Sequence, residues 1–175
     1  MMSKTAAELM ADLARDQEFQ ARKKAQDKHF ISLKKLYSED EKQLVEELCK
    51  AGYAVDSVWD LVNTETDYFG AEQILVKHLA LTHHPKILAG IVRALAIPEF
   101  SNNDNLWLLL TGLYSNTQPD SEISIPEERG VQTAVAVALE CLATEERIDS
   151  LIKLIAANPD ADGVRWLREQ IKRLD

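Results

Sequence analysis

The sequence predicts an all-α protein, and three observations carry that expectation. Apolar residues recur at helical spacing over most of the chain. The breaks between these stretches fall at Gly, Pro and Asn/Asp clusters. No alternation of apolar and polar residues competes for a strand. The pattern is clearest from Ala71 to Leu95, AEQILVKHLALTHHPKILAGIVRAL. Ala71, Ile74, Leu75 and Leu79 form one stripe; after Thr-His-His-Pro, Ile87, Leu88, Ile91 and Leu95 form another. This reads as a helix hairpin. Pro85 suits the first turn of its second helix, where a missing N–H costs nothing, and the pair Ala89-Gly90 permits a close helix approach.

The other elements follow in order. Residues 1–36 contain no Gly or Pro and read as a long helix with a sparse apolar face, Leu9, Leu13, Phe19, Phe30, Leu33 and Leu36. Two roles fit it: a solvated helix laid across the body, or a basic arm that grips a partner. Residues 37–175 form the second region. There, Ser38-x-x-Glu41 resembles a capping box ahead of the stripe Leu44, Val45, Leu48 and Cys49. Gly52 suits the residue just beyond that helix, and Asp56 is placed to cap a short helix with Val58, Trp59, Leu61 and Val62. Tyr68 and Phe69 are expected to fill a gap between helices.

Beyond the Ala71–Leu95 hairpin, Asp104 is placed to cap a helix with Leu106, Leu109, Leu110 and Leu113. The connection 116–126 is long for neighbouring helices; its Asp120 and Glu122 beside Ile123 and Ile125 make it either a contact site or a solvated excursion. Pro126-Glu127-Glu128 is expected to open a helix with the small face Val131, Ala134, Val135, Ala138, Leu139 and Leu142, suited to an inner position. The last hairpin places Ile148, Leu151, Ile152 and Ile155 opposite Val164, Leu167, Ile171 and Leu174, with Arg165, Arg168, Glu169, Lys172 and Arg173 coating the end.

Composition narrows the function. A chain of 175 residues, 46% apolar and 28% charged, can form one cored domain or a short stack of repeats and is not a disordered tail. Its apolar runs, such as Leu106 to Leu110, are too short to cross a bilayer, and MMSKTAAEL lacks a signal-peptide core, so no membrane role and a cytoplasmic location are expected. Cys49 and Cys141 lie in apolar patterns far apart and are expected to be reduced core thiols. Residues 1–36 hold eight Lys/Arg and five Asp/Glu, a net of +3; residues 37–175 hold twelve and twenty-four, a net of −12. So acidic a body repels phosphate backbones and disfavours nucleic acid, whereas a basic protein partner is its natural complement.

Chemistry-bearing motifs are sparse. His78, His83 and His84 are the nearest approach to a metal cluster, but a helix ends between them and no two are one helical turn apart. His78 instead suits a hydrogen-bonded core position, and His83 or His84 a helix cap. Glu127-Glu128 and Glu145-Glu146 sit at helix starts, where the macrodipole accounts for them without acid–base catalysis. The six scattered glycines make no phosphate loop, dinucleotide fingerprint or nucleophile elbow. No catalytic residue, metal or cofactor is expected.

With segments such as HHPKILAGIVRAL and PEERGVQTAVAVAL, residues 71–174 resemble HEAT-type repeats, and 38–62 do so more loosely. The charged N-terminal helix followed by DSVWDLVN and these hairpins is similar to small standalone bacterial HEAT-repeat proteins. The resemblance implies a right-handed α–α superhelix of about four hairpins with a curved binding surface, and an interaction role without catalytic residues. It implies that second helices line the concave side, making Lys86, Arg93, Gln132, Glu140, Arg165 and Glu169 candidate partner contacts beside Asp120 and Glu122 of the long connection. A scaffold, or an immunity-type inhibitor of a basic protein, fits these features. An alternative comes from HEAT-like DNA glycosylases acting on alkylated bases, which use aromatic residues; here Trp59, Trp107 and Trp166 would be candidates, against the charge of the body. The oligomeric state is left open.

Overall fold

The computed structural model describes residues 5, 6, 10, 13, 14 and 16–175. The described residues are all-helical, without a strand. Backbone contacts divide the chain into two units, residues 1–39 and 40–175. Leu9, expected on the apolar face of the first helix, lies outside the described residues.

Helix α1 spans Gln17–Asp40. Asp16 opens it, its Oδ1 accepting from the amides of Glu18 and Phe19 at 3.0 Å each, which satisfies donors that the first turn leaves without partners. No residue of α1 is buried. The helix runs through Ser38, where the sequence suggested a new start; Ser38 Oγ bonds back to the Lys35 carbonyl instead. The break comes at Glu41. Its buried carboxylate reaches away from its own helix to accept from Ser57 Oγ at 2.9 Å and Val58 N at 3.0 Å. Burial pushes the Glu41 carboxyl up, and these two bonds pull against it.

The second unit contains α2 (Lys42–Lys50), α3 (Val58–Val62), α4 (Glu72–Leu79), α5 (Pro85–Ala94), α6 (Asp104–Asn116), α7 (Val131–Leu142), α8 (Ile148–Ala157) and α9 (Val164–Leu174). Leu44 and Leu48 of α2 are buried as expected. Gly52, at φ +97°, ends α2 by letting Tyr53 N reach the Leu48 carbonyl at 3.0 Å. Helix α3 has a capping box one residue later than expected: Ser57 is its N-cap and Asp60 supplies the reciprocal carboxylate, while Asp56 only donates its amide to Asp60. Cys49 is exposed, in contrast to the expected core thiol, because Leu44 and Leu48 already fill the buried stripe of so short a helix. Cys141 is half-buried and also free.

The α4–α5 hairpin follows the expected register. Pro85 is the first residue of α5, and His84 caps it, Nδ1 accepting from Lys86 N at 3.1 Å. Gly90 brings α5 against α3 so closely that a Cβ there would lie 2.7 Å from Val58 Cγ1 and 2.9 Å from Trp59 Nε1. Tyr68 fills a gap as expected, buried with its hydroxyl donating to the Ala94 carbonyl at 3.0 Å; Phe69 stays largely exposed and meets Phe100 edge to face.

Asn103 rather than Asp104 caps α6, its Oδ1 accepting from Leu106 N at 2.9 Å. The buried stripe of α6 is Leu106, Trp107, Leu110 and Tyr114, while Leu109 and Leu113 lie only half-buried at its margin. Helix α7 begins at Val131, after Gly130 at φ +98°; Glu127-Glu128 and likewise Glu145-Glu146 occupy single 3₁₀ turns ahead of the helices they were expected to open. As its small residues predict, α7 is the innermost helix, with eight buried residues and neighbours α5, α6 and α9. Elsewhere α2 packs on α4, α3 on α5, α8 on α9 and α6 on α8. In α8, Leu154 takes the core position expected of Ile152, which is largely exposed.

Candidate functional site

The longest irregular stretch among the described residues of the second unit, 117–130 between α6 and α7, is held by a polar lattice that the spacing of its residues did not reveal. Gln132 is 2% exposed. Its Nε2 donates to the carbonyls of Thr117 (2.7 Å) and Tyr114 (3.2 Å), and its Oε1 accepts from Asp162 N at 2.8 Å. The Asp162 carbonyl accepts from the buried Tyr114 hydroxyl at 2.7 Å, and its Oδ2 accepts from Asp120 N at 2.7 Å. Asp120 in turn accepts from Gly130 N at 2.7 Å and Thr133 Oγ1 at 3.3 Å. Burial and the neighbouring Asp162 push the Tyr114 phenol up to about 12, so it remains a donor.

Two predicted contact residues therefore have an internal role. Gln132, expected on the outer face, is a buried tie between the α6 end, α7 and the α8–α9 connection; this corrects its placement. Asp120 is half-buried and committed to the turn around it. Glu122 is exposed. With Glu128 it lines a groove of about 670 Å³ whose apolar lining comes from Pro85 and Leu88 of α5, Ile123 and Ile125 of the connection, and Val131, beside the polar Asn116, Thr117, Gln118 and Ser124. Ile125 is 50% exposed. Arg129 is turned back on the connection, both Nε and a terminal nitrogen donating to the Ile123 carbonyl at 2.9 and 2.7 Å. Leu88 and Asp162 are the residues of this region that sequence reasoning missed; Leu88 had been assigned wholly to the core stripe.

The other predicted contacts are distributed over the second unit. Lys86 is exposed at the start of α5, its ammonium 4.4 Å from the centroid of the Trp59 ring. Arg93 is half-buried on the same helix. Glu140 of α7 pairs with Arg173 of α9 at 2.6 Å. Glu169 pairs with Lys172 at 2.9 Å, a bond that holds its carboxyl below the ordinary range, and Arg165 is exposed on that same last helix. The structure thus joins Asp120 and Gln132 through Asp162, and Glu140 to the α9 basic face, without gathering all eight residues at one place.

Of the tryptophans, Trp107 is 5% exposed, its Nε1 donating to Ser150 Oγ at 3.2 Å and its ring covered by the Arg147 guanidinium at 4.7 Å. Arg147 is itself held by the Leu142 carbonyl at 3.1 Å and Asp104 at 3.0 Å. Trp166 is 42% exposed. Among the described residues no group of three or more His, Cys, Asp or Glu side chains is arranged to hold a metal ion. No described helix is long and apolar enough to cross a membrane. No family model, curated protein or solved structure matches this chain.

Proposed function

We propose that this chain is a non-enzymatic protein-interaction module that takes a basic protein partner on an acidic surface, as a scaffold or an immunity-type inhibitor does. The observation that carries the reading is the groove beside the α6–α7 connection. Its lining combines Pro85, Leu88, Ile123, Ile125 and Val131 with the carboxylates Glu122 and Glu128, and of the two cations adjacent to it in sequence Arg129 is spent on a backbone carbonyl and Lys86 lies over the Trp59 ring. An aliphatic side chain flanked by lysine or arginine matches that surface, the apolar contact supplying affinity and the charges orientation and rate. A HEAT-like superhelix of about four hairpins is part of the same reading. The succession of contacts α3 on α5, α5 on α7 and α7 on α9 supports it, since stacked hairpins bury their second helices against one another.

The alternative, excision of alkylated bases, draws on Trp166 for an exposed aromatic surface; Trp107 is occupied by Ser150 and Arg147. One experiment separates the two. The full-length protein and the double variant Glu122→Lys/Glu128→Lys are used as bait at low and high salt, and the wild type is assayed on alkylated duplex DNA. A discrete basic protein that is retained at low salt, released as salt rises and lost with the double variant supports the interaction reading. Recovery of DNA alone, or base excision that stops on changing Trp166, overturns it.

A further inference from the structure

Where α2, α4 and the α4–α5 connection meet, four side chains form one continuous row. Asp40 Oδ2 lies 3.0 Å from His83 Nδ1, and His83 Nε2 lies 3.2 Å from His78 Nδ1; His78 Nε2 lies 3.4 Å from Glu47 Oε2, a charge contact that falls short of hydrogen-bond geometry and leaves this buried nitrogen otherwise without a partner among the described residues. His78 is 0% exposed and the His83 side chain 6%. The charged and titratable groups around the pair are Asp40 at the end of α1, Glu47 on α2, Lys77 on α4 and His84 in the α4–α5 connection. Lys77 Nζ grips both Glu47 oxygens, at 2.7 and 2.8 Å, and this pairing lowers the Glu47 carboxyl to about 2. His84 gives its backbone N–H to Asp40 Oδ2 at 3.2 Å, while its Nδ1 serves the α5 cap.

Counting protons along the row decides its state. Three contacts join two carboxylates through four ring nitrogens: two are hydrogen bonds that each need one hydrogen, and the third, beside Glu47, is attractive only if His78 Nε2 carries one. Two neutral imidazoles supply two. Whichever tautomers they choose, one link is left with two acceptors facing each other: either a ring lone pair against a carboxylate, or the two ring nitrogens against one another. Two imidazolium rings supply four, and two N–H groups then collide at the 3.2 Å link. One added proton satisfies all three contacts. It also brings the formal charge of Asp40, Glu47, Lys77 and the two rings to zero, the arrangement that a buried network tolerates best.

The geometry points to a binding site for a single proton, shared by His78 and His83 between Asp40 and Glu47, that fastens the α4–α5 connection to α2 and to the end of α1. The charge resides on His83, whose two N–H groups serve Asp40 and His78. His78 is the neutral Nε2–H tautomer, its remaining hydrogen directed at Glu47 across the longest contact. Burial independently pushes His78 down, against its attraction to Glu47, which agrees with its being the neutral ring. Loss of the shared proton as pH rises leaves one link with facing acceptors and loosens residues 80–84. A second proton as pH falls forces two N–H groups together. The contribution to stability therefore passes through a maximum, falling on the alkaline side as the first proton is lost and on the acid side as the unfolded chain takes up a second.

The test is ¹⁵N–¹H correlation of the ring nitrogens in the full-length protein across a pH series, with the variant Asp40→Asn beside it. Expected in the wild type are one doubly protonated ring at His83, one Nε2–H ring at His78, and uptake of the second proton only with unfolding. In Asp40→Asn one carboxylate is gone, so Glu47, Lys77 and two neutral rings already sum to zero and the added proton becomes an uncompensated buried charge. The imidazolium signal is then lost while helical circular dichroism is kept, a change that a packing role alone does not produce. Two neutral rings at and below pH 6.5 in the wild type, two rings titrating independently, or an imidazolium that persists in a folded Asp40→Asn protein would each overturn the assignment. If Asp40→Asn fails to fold, the wild-type ring shifts alone decide between these outcomes.

Discussion

Replacing Gln132 with Ala removes a side chain that serves three backbone groups at once. The bond to the Tyr114 carbonyl is buried; those to the Thr117 carbonyl and Asp162 N are partly reached by solvent. Leaving a buried group unpaired costs about 1–3 kcal/mol, and losing each bond that water can replace about 0.5–1.5 kcal/mol, so Gln132→Ala is expected to cost about 2–6 kcal/mol. With a urea slope of about 2 kcal/mol/M, the midpoint falls by about 1–3 M. Gln132→Glu sharpens the test. An ionised carboxylate keeps the bond from Asp162 N but faces two carbonyls with no hydrogen to offer, so the variant is at least as unstable at neutral pH. Protonating that carboxyl restores one donor, and its deficit relative to the wild type therefore shrinks as pH falls. Urea unfolding followed by tryptophan fluorescence at two pH values reads both effects. A loss below about 1 kcal/mol for Gln132→Ala, with partner binding abolished, would refute the internal role and return Gln132 to the outer surface.

Gly163→Ala meets two penalties, a left-handed backbone at φ +77° and a Cβ driven into that of Ala136, whereas Gly52→Ala at φ +97° meets open space. Denaturation is expected to show a loss of about 1–2 kcal/mol for Gly52→Ala from backbone strain, and an additional 1–3 kcal/mol or so at Gly163 from overpacking. Equal losses would show that the α9 entry yields to the added methyl group. Arg147→Met keeps an apolar stem over Trp107 but abandons the Leu142 carbonyl and Asp104; thermal unfolding should register about 1–3 kcal/mol, most of it from the buried carbonyl, because the Asp104 side chain is exposed. Thiol labelling of the native protein should modify the exposed Cys49 first, since burial both shields Cys141 and pushes its thiol up; faster labelling of Cys141 would contradict the placement of α7.

Local signals in the chain were good guides wherever a residue's role ends within its own helix or turn. Pro85 starts α5, Gly52 ends α2, and the Ala-Val face of α7 lies innermost, because proline's fixed φ, glycine's left-handed freedom and small side-chain volume act without reference to distant residues. Ser38-x-x-Glu41 misled for the complementary reason. The pattern is that of a local cap, but Glu41 found donors at Ser57 and Val58, sixteen and seventeen residues away, and α1 ran on to Asp40. The groove was legible in part: Glu122, Ile123 and Ile125 stood out in a long connection, while Leu88 was indistinguishable from its core neighbours until the connection folded beside it.

By itself, the sequence determined an all-helical chain, the hairpin register around Pro85 and the acidity of residues 37–175, properties that follow from periodicity, backbone chemistry and composition. Only the tertiary structure decided that Gln132 points inward, that Cys49 is exposed, and that His78 and His83 stand in line between Asp40 and Glu47. Those outcomes depend on which polar atoms meet across separate helices once apolar faces have packed. Residue spacing along the chain carries no record of that meeting.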